Sequence, residues 1–99
     1  MLLYAFAVNF EWDEAKRESN QRKHLVDFAE AAELLSGPTV CWLDTRFEYG
    51  EDRWIAIGLA GGRILVVLFV EQAEDRLRII SMRKATGRER RQFTDAFQD

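Results

Sequence analysis

The apolar run ILVVLFV, residues 64–70, is unbroken, as expected of a strand covered on both faces and therefore central to a sheet. It follows "RWIAIGLAGG", another apolar stretch that ends in two glycines. Together these predict a hairpin with Gly61-Gly62 at its turn, where positive φ costs glycine least. With that two-residue loop, Ala60 faces Arg63, Gly58 faces Leu65, Ala56 faces Val67 and Trp54 faces Phe69. "TVCWL", residues 39–43, is rich in β-branched and aromatic residues and reads as a further strand. "DTRFEYGED" reads as a loop, "EQAEDR" as a loose turn and "LRIISMR" as the strand after the hairpin. On regular alternation that last strand puts Arg76, Arg78, Ile80, Met82 and Lys84 on one face, and Leu77, Ile79, Ser81 and Arg83 on the other.

The helical segments carry their own start signals. Asp13 can cap a helix over residues 14–24, "EAKRESNQRKH", whose apolar stripe is thin; a helix so polar is either a solvated face or part of a site. In "VDFAEAAELLSGP", Asp27 stands at the N-cap with Glu30 at N3, a capping box. Val26 can staple to Ala31, and Phe28, Ala31, Ala32 and Leu35 form an apolar face. Gly37 is expected at the left-handed C′ position, with Pro38 stopping the helix. Thr86 and Glu89 repeat the capping box ahead of a last helix, with Phe93 and Phe97 four apart on one face and Ala96 beside them. The opening segment, "MLLYAFAVNF", lacks a basic leader and is too short to span a bilayer, so it is expected to add an edge strand. The order is β-α-α-β-β-β-β-α: an α+β fold with a central antiparallel sheet and helices packed on it, in a single domain over residues 1–99.

Charge changes this picture more than composition does. The net charge is −3, but residues 76–91 hold seven cations (Arg76, Arg78, Arg83, Lys84, Arg88, Arg90, Arg91) against Glu89 alone. One end of the molecule is thus built to meet a polyanion and the rest to repel it. The cations gather where a strand meets a helix N-terminus, whose free N–H groups attract anions. The functional reading is a single open phosphate pocket. The plain reading is a set of surface arginines paired with Glu71, Glu74 and Asp75.

Other candidates have similar double readings. His24, the one histidine, stands at a helix C-terminus, where it can cap as a cation or serve as general acid or base, with Lys23 beside it. Arg53 either pairs with Glu51 or Asp52 or contacts a phosphate, with Trp54 alongside for stacking. Trp12, Trp42 and Trp54 read as core or edge packing ahead of base platforms. "GLAGG" lies in a hairpin and does not open a helix, so it is no dinucleotide fingerprint. One histidine and the single Cys41 give no metal-ligand spacing. The absence of a disulfide framework fits a reducing cytoplasm.

Four blocks in order, "FEWDEAKRESNQRKHLVDFAEA", "EDRWIAIG", "RILVVLFVE" and "RIISMRKATGRERRQF", closely resemble the BrnT toxins of type II toxin–antitoxin systems, relatives of the RelE-like ribonucleases. The resemblance spans residues 10–93. It implies a RelE-like fold with helices on one side of a curved sheet and RNA on the other. It implies metal-independent endoribonucleolytic cleavage of RNA that inhibits translation, with no cofactor and no membrane. The implied partners are a BrnA-like ribbon-helix-helix antitoxin, the RNA substrate and, through the antitoxin alone, operator DNA; a homodimer and a toxin–antitoxin heterotetramer both stay open. By position, the resemblance assigns Arg53, Arg78, Arg83 and Lys84 to phosphate and transition-state charge. It gives proton transfer to Lys23 and His24, substrate binding to Arg76, Arg88, Arg91 and Trp54, and helix capping and arginine orientation to Glu89. Two residues depart from the family pattern: Leu25 stands where glycine usually follows Lys-His, which implies a turn that closes differently, and Phe93 stands where tyrosine is frequent. The competing reading is a non-catalytic co-repressor that binds antitoxin and nucleic acid.

Overall fold

A computed structural model describes residues 8–97. The elements are β1 (Asn9–Glu11), α1 (Glu14–His24), a 3-10 turn (Phe28–Glu30) running into α2 (Ala31–Ser36), β2 (Val40–Leu43), β3 (Trp54–Ala60), β4 (Arg63–Ala73), β5 (Arg76–Lys84) and α3 (Gly87–Ala96). The expected order holds, and β1 lies at a sheet edge as anticipated for its segment, although residues 1–7 fall outside the described part. The five strands run β1-β5-β4-β3-β2, so the apolar β4 is central. The sheet is mixed: β1 pairs parallel with β5 from Asn9↔Arg76 to Glu11↔Arg78, and the other pairings are antiparallel.

The β3–β4 hairpin has the anticipated register, Ala60↔Arg63 through Trp54↔Phe69. Gly61 and Gly62 both take positive φ, 58° and 74°, as a two-residue turn matching the strand twist requires. The next connection is tighter than expected, with β4 running on to Ala73 and only Glu74 and Asp75 making the turn.

Two apolar layers form because β3 and β4 alternate. Ala56, Ala60, Leu65, Val67 and Phe69 face Phe28, Ala31, Leu34 and Leu35, with Leu77, Ile79 and Met82 of β5. Ile55, Ile57 and Val66 face Phe93 of α3 on the opposite side. Helices therefore lie on both faces, not one: α2 packs on the first with α1 beside it along β5, and the single short α3 covers only part of the second. α2 sits close to the sheet because Gly58 has no side chain; a Cβ there would lie 3.0 Å from the Leu34 side chain.

Three local expectations are corrected. The capping box at Asp27 and Glu30 forms, but the helix begins as a 3-10 turn, which rotates its phase; Leu34 is buried and Ala32 is exposed. Gly37 is extended (φ −104°, ψ −167°), not left-handed, since Pro38 pushes the residue before it toward extended backbone. Leu25, the residue in glycine's place, adopts glycine's conformation (φ 59°, ψ 34°) and donates its N–H to Gln21 O at 2.9 Å, so the turn closes as a left-handed cap.

The polar helix α1 is held by one buried side chain. β1 ends opposite Arg78, and from there β5 has no strand on its outer side. Asn20 takes that place: Met82 N–H donates to Asn20 Oδ1 at 3.3 Å, and Asn20 Nδ2 donates to Met82 O at 2.8 Å and to Val26 O at 3.2 Å. Arg17 adds a bidentate pair to Asp27, at 2.8 and 2.9 Å, which ties α1 to the cap of the following turn.

Replacing Asn20 by Leu strands three buried backbone groups and should cost on the order of 3 kcal/mol in urea unfolding. Leu25→Gly removes backbone strain from an exposed position and should raise stability by a few tenths to about 1 kcal/mol, net of glycine's added unfolded-state entropy.

Candidate active site

The part of the second face that α3 leaves open is a cleft of about 480 Å³. Its floor is Trp42, Ile55, Leu68 and Ser81, one residue from each of four adjacent strands, joined in register as Trp42↔Ile55, Ile55↔Leu68 and Leu68↔Ser81. Lys23 and His24 line it from the last turn of α1, Arg83 and Glu89 from the β5–α3 junction, and Arg46 from the loop after β2.

Arg83 reaches this face because of a β-bulge. Leu68 pairs with Ser81 but Phe69 pairs with Ile79, leaving Ile80 as an extra residue. The alternation expected for β5 therefore breaks. Met82 turns inward with Leu77 and Ile79, while Arg78, Ser81 and Arg83 share the second face with their partners Val70, Leu68 and Val66.

Glu89 fixes Arg83. Arg83 Nη1 and Nη2 donate to its two carboxylate oxygens at 2.6 and 2.9 Å, and Nη1 also reaches Lys84 O at 3.3 Å. Glu89 completes the capping box by accepting from Thr86 N–H at 2.9 Å, as anticipated. The Arg83 guanidinium, with help from the Thr86 N–H, holds the Glu89 carboxyl at about 2 against burial's upward push. Arg83 is correspondingly held above its ordinary value by Glu89, with Arg46 pulling the other way. Two guanidiniums that repel across a shared cleft create positive potential where an anion can sit. Of the five Arg83 N–H donors, two remain unengaged for a ligand.

Arg46 was not anticipated. Asp44, buried at the end of β2, accepts from Arg46 N–H at 3.1 Å, from Nε at 2.8 Å, from Nη2 at 2.9 Å and from Tyr49 Oη–H at 2.9 Å. Those bonds, Arg46 foremost, hold its carboxyl well below the usual carboxylate range. The signal in sequence is local: an aspartate two residues before an arginine in a loop favours an Asx-type turn.

The remaining expected residues divide into separate groups, so the single pocket anticipated for all the cations does not form. Arg78 donates to both oxygens of Glu51 at 2.8 Å, and Arg53 makes an ion pair with the same carboxylate at 3.5 Å while lying 4.1 Å over the Tyr49 ring. Lys84 lines a different depression with Arg63 and Arg90, at the Gly61-Gly62 end of the sheet. Arg76 pairs with Glu11 at 3.4 Å beside the β1 edge. Arg88 and Arg91 are exposed on α3. Trp54 packs into the layer under α1 and α2, on the other side of the sheet from the cleft; Trp42 is the tryptophan on the cleft floor. Trp12 packs edge-on to Phe28, as a packing role predicts. Among the described residues, no three His, Cys, Asp or Glu side chains come together to hold a metal ion, and no helix is long and apolar enough to cross a membrane.

The α+β fold, a five-stranded mixed sheet with three helices, is compatible with a RelE-like architecture. The family model described as ribonuclease toxin, BrnT, of type II toxin–antitoxin systems matches residues 12–89. Among solved structures, the crystal structure of the Brucella abortus ribonuclease toxin, BrnT, is similar to this chain at 34% identity and a TM-score of 0.60, covering 80% of this chain and 97% of that one. No curated protein matches. The chain belongs to the BrnT family: it is a ribonuclease toxin of a type II toxin–antitoxin system, a class in which each toxin is paired with an antitoxin.

Because the Glu89 carboxyl is depressed in the folded state, its stabilising contribution is complete above its ordinary value of 4.5 and fades as pH falls toward 2. Glu89→Gln should lower the urea midpoint at pH 7 by the equivalent of about 1–2 kcal/mol, after allowing for solvent screening of the partly exposed Arg83. The gap between variant and wild type should close by pH 2.

Proposed function

We propose that this protein is a metal-independent endoribonuclease that inhibits translation by cutting RNA in the cleft of Lys23, His24, Arg46 and Arg83. The observation that carries the reading is the meeting of those four basic side chains over a largely apolar floor, in a chain of this family. The floor suits an unstacked base, with Trp42 as the aromatic surface. The rim suits the phosphodiester beside it.

The reaction needs no atom from outside the RNA. The ribose 2′-oxygen attacks the adjacent phosphorus, and its proton passes to the unprotonated ring nitrogen of His24. The bond from phosphorus to the 5′-oxygen breaks, and that oxygen takes up a proton from the Lys23 ammonium; return of the proton from His24 to Lys23 through water restores both groups. The products are a 2′,3′-cyclic phosphate and a 5′-hydroxyl. Arg83, oriented by Glu89, stabilises the charge that grows on the non-bridging oxygens, and Arg46 adds to it from the opposite wall. Such preorganised donors act more strongly in a partly desolvated cleft than in water. His24 suits the proton transfer because an imidazole ring can accept a proton at one nitrogen and donate one from it.

The partner fitting this reading is a BrnA-like ribbon-helix-helix antitoxin, with operator DNA engaged only through it, in the cytoplasm. An antitoxin segment carrying carboxylates would compete with RNA for the same cations.

Purified protein incubated with RNA in EDTA should yield discrete fragments ending in 2′,3′-cyclic phosphate. His24→Ala and Arg83→Ala should each reduce the rate by about 10²-fold or more, the usual scale for a general base or an oxyanion donor. Lys84→Ala should cut normally. RNA that is bound but uncut would favour the co-repressor, and loss of cutting in EDTA would end the metal-independent reading.

A further inference from the structure

Away from the cleft, but on the same face, lies a second cationic group whose geometry no cleft residue explains. Arg78 stands on β5 opposite Val70 of β4, and Arg53 immediately precedes β3, whose first residue pairs with Phe69. Both arginines turn to one carboxylate. Glu51 accepts two bonds at 2.8 Å from Arg78 Nη2 and lies 3.5 Å from Arg53 Nε. The Arg53 guanidinium also lies over the Tyr49 ring, its Cζ 4.1 Å from the ring centroid.

The carboxylate does not satisfy this pair. Arg53 Nε and Arg78 Nε are both buried and make no hydrogen bond to any described group; among the described residues they are the only such side-chain atoms. Buried unsatisfied donors are rare and costly, which makes two side by side informative. The side chains remain reachable, at 25% exposed for Arg53, 34% for Arg78 and 33% for Glu51. A carboxylate presents two oxygens in one plane, whereas a phosphodiester presents non-bridging oxygens at a tetrahedral centre that two guanidiniums can bind from different directions.

We infer that Arg53 and Arg78 form a second phosphate subsite, for a backbone phosphate other than the one cut, and that the Glu51 carboxylate holds its place in the free protein. This rests on the ribonuclease reading for the identity of the polyanion. Val70 and Val66, the partners of Arg78 and Arg83, are four residues apart on β4, roughly 13 Å at about 3.3 Å per residue. One phosphate cannot engage both arginines across that distance. An RNA strand lying along the face would meet the Arg53–Arg78 pair, cross the floor of Trp42, Ile55, Leu68 and Ser81, and reach Arg83. The resident Glu51 would then discriminate among ligands: a flexible strand that offers several phosphates displaces it, and an isolated small anion does so poorly.

The test compares wild type with Glu51→Gln, which keeps the size and one acceptor oxygen but removes the charge and the second acceptor. The arginine Nε–H signals of Arg53 and Arg78 are followed by NMR during titration with inorganic phosphate, and affinity for a single-stranded RNA oligonucleotide is measured at low salt. Glu51→Gln should move both signals at about tenfold lower phosphate and bind RNA about tenfold tighter, the scale of one charge-assisted contact. The double variant Glu51→Gln/Arg78→Gln should lose both gains. If Glu51 merely braces the arginines, Glu51→Gln will bind RNA equally or more weakly, and the inference is overturned. Signals that ignore phosphate in Glu51→Gln also overturn it. RNA cutting by the wild type, scored separately, tests the ribonuclease reading; an active wild type with an unresponsive Glu51→Gln defeats only the subsite.

Discussion

The position of α1 depends on one side-chain amide. A helix with almost no apolar surface has little hydrophobic reason to lie against a sheet. Asn20 supplies another, because β5 outruns its neighbour β1 and exposes backbone groups that need partners. The Asn20 amide offers one donor and one acceptor, as the next strand would, and meets both groups of Met82. The consequence for the site is direct. Lys23 and His24 follow Asn20 by three and four residues, which places them one turn along on the same side of α1. Arg83 follows Met82. The two hydrogen bonds therefore register both walls of the cleft against each other, and they also seal an edge that would otherwise invite another chain.

The site's cations are ordered by carboxylates. Arg83 leans on Glu89, Arg46 on Asp44, and Arg53 with Arg78 on Glu51. A free arginine loses much rotamer freedom when it grips a ligand; one already fixed at two N–H groups has less to lose. The arrangement differs among the three. Glu89 is bound into a helix cap and cannot leave without giving up the hydrogen bond from Thr86 N–H. Asp44 is buried beneath Arg46 and Tyr49. Glu51, in a loop, has no anchor of that kind.

Much of the fold was legible because its signals are local. Capping boxes at Asp27 and Thr86, the paired glycines of the hairpin and the unbroken β4 run each specify their own neighbourhood, and the β3–β4 register followed from loop length alone. The order of the blocks also carried the family. What escaped depends on contacts between distant parts. Nothing near Asn20 announces that it will meet Met82, 62 positions later. The partners of the arginines are far in sequence or local to a turn, as with Glu51 for Arg78 and Asp44 for Arg46, so charge density along the chain could show that cations gather but not how they separate. Gly37 was misjudged for a local reason: the proline after it outweighed glycine's freedom. Trp42 and Trp54 carry the same chemistry, and only the sheet's two sides tell the base platform from the core residue.

Arg78 and Arg83 are five positions apart, an odd interval that in a regular strand would send them to opposite sides of the sheet. Ile80, slipped out of register, converts the odd interval to an even one. No glycine or proline advertises that slip, so the count of residues between the arginines is its one trace in the sequence. A chain that kept every residue but paired Ile80 in regular register would hold every charge it has, yet one guanidinium would be driven beneath the helices and the cleft would lose a wall. In β5, register is as much a part of the chemistry as composition.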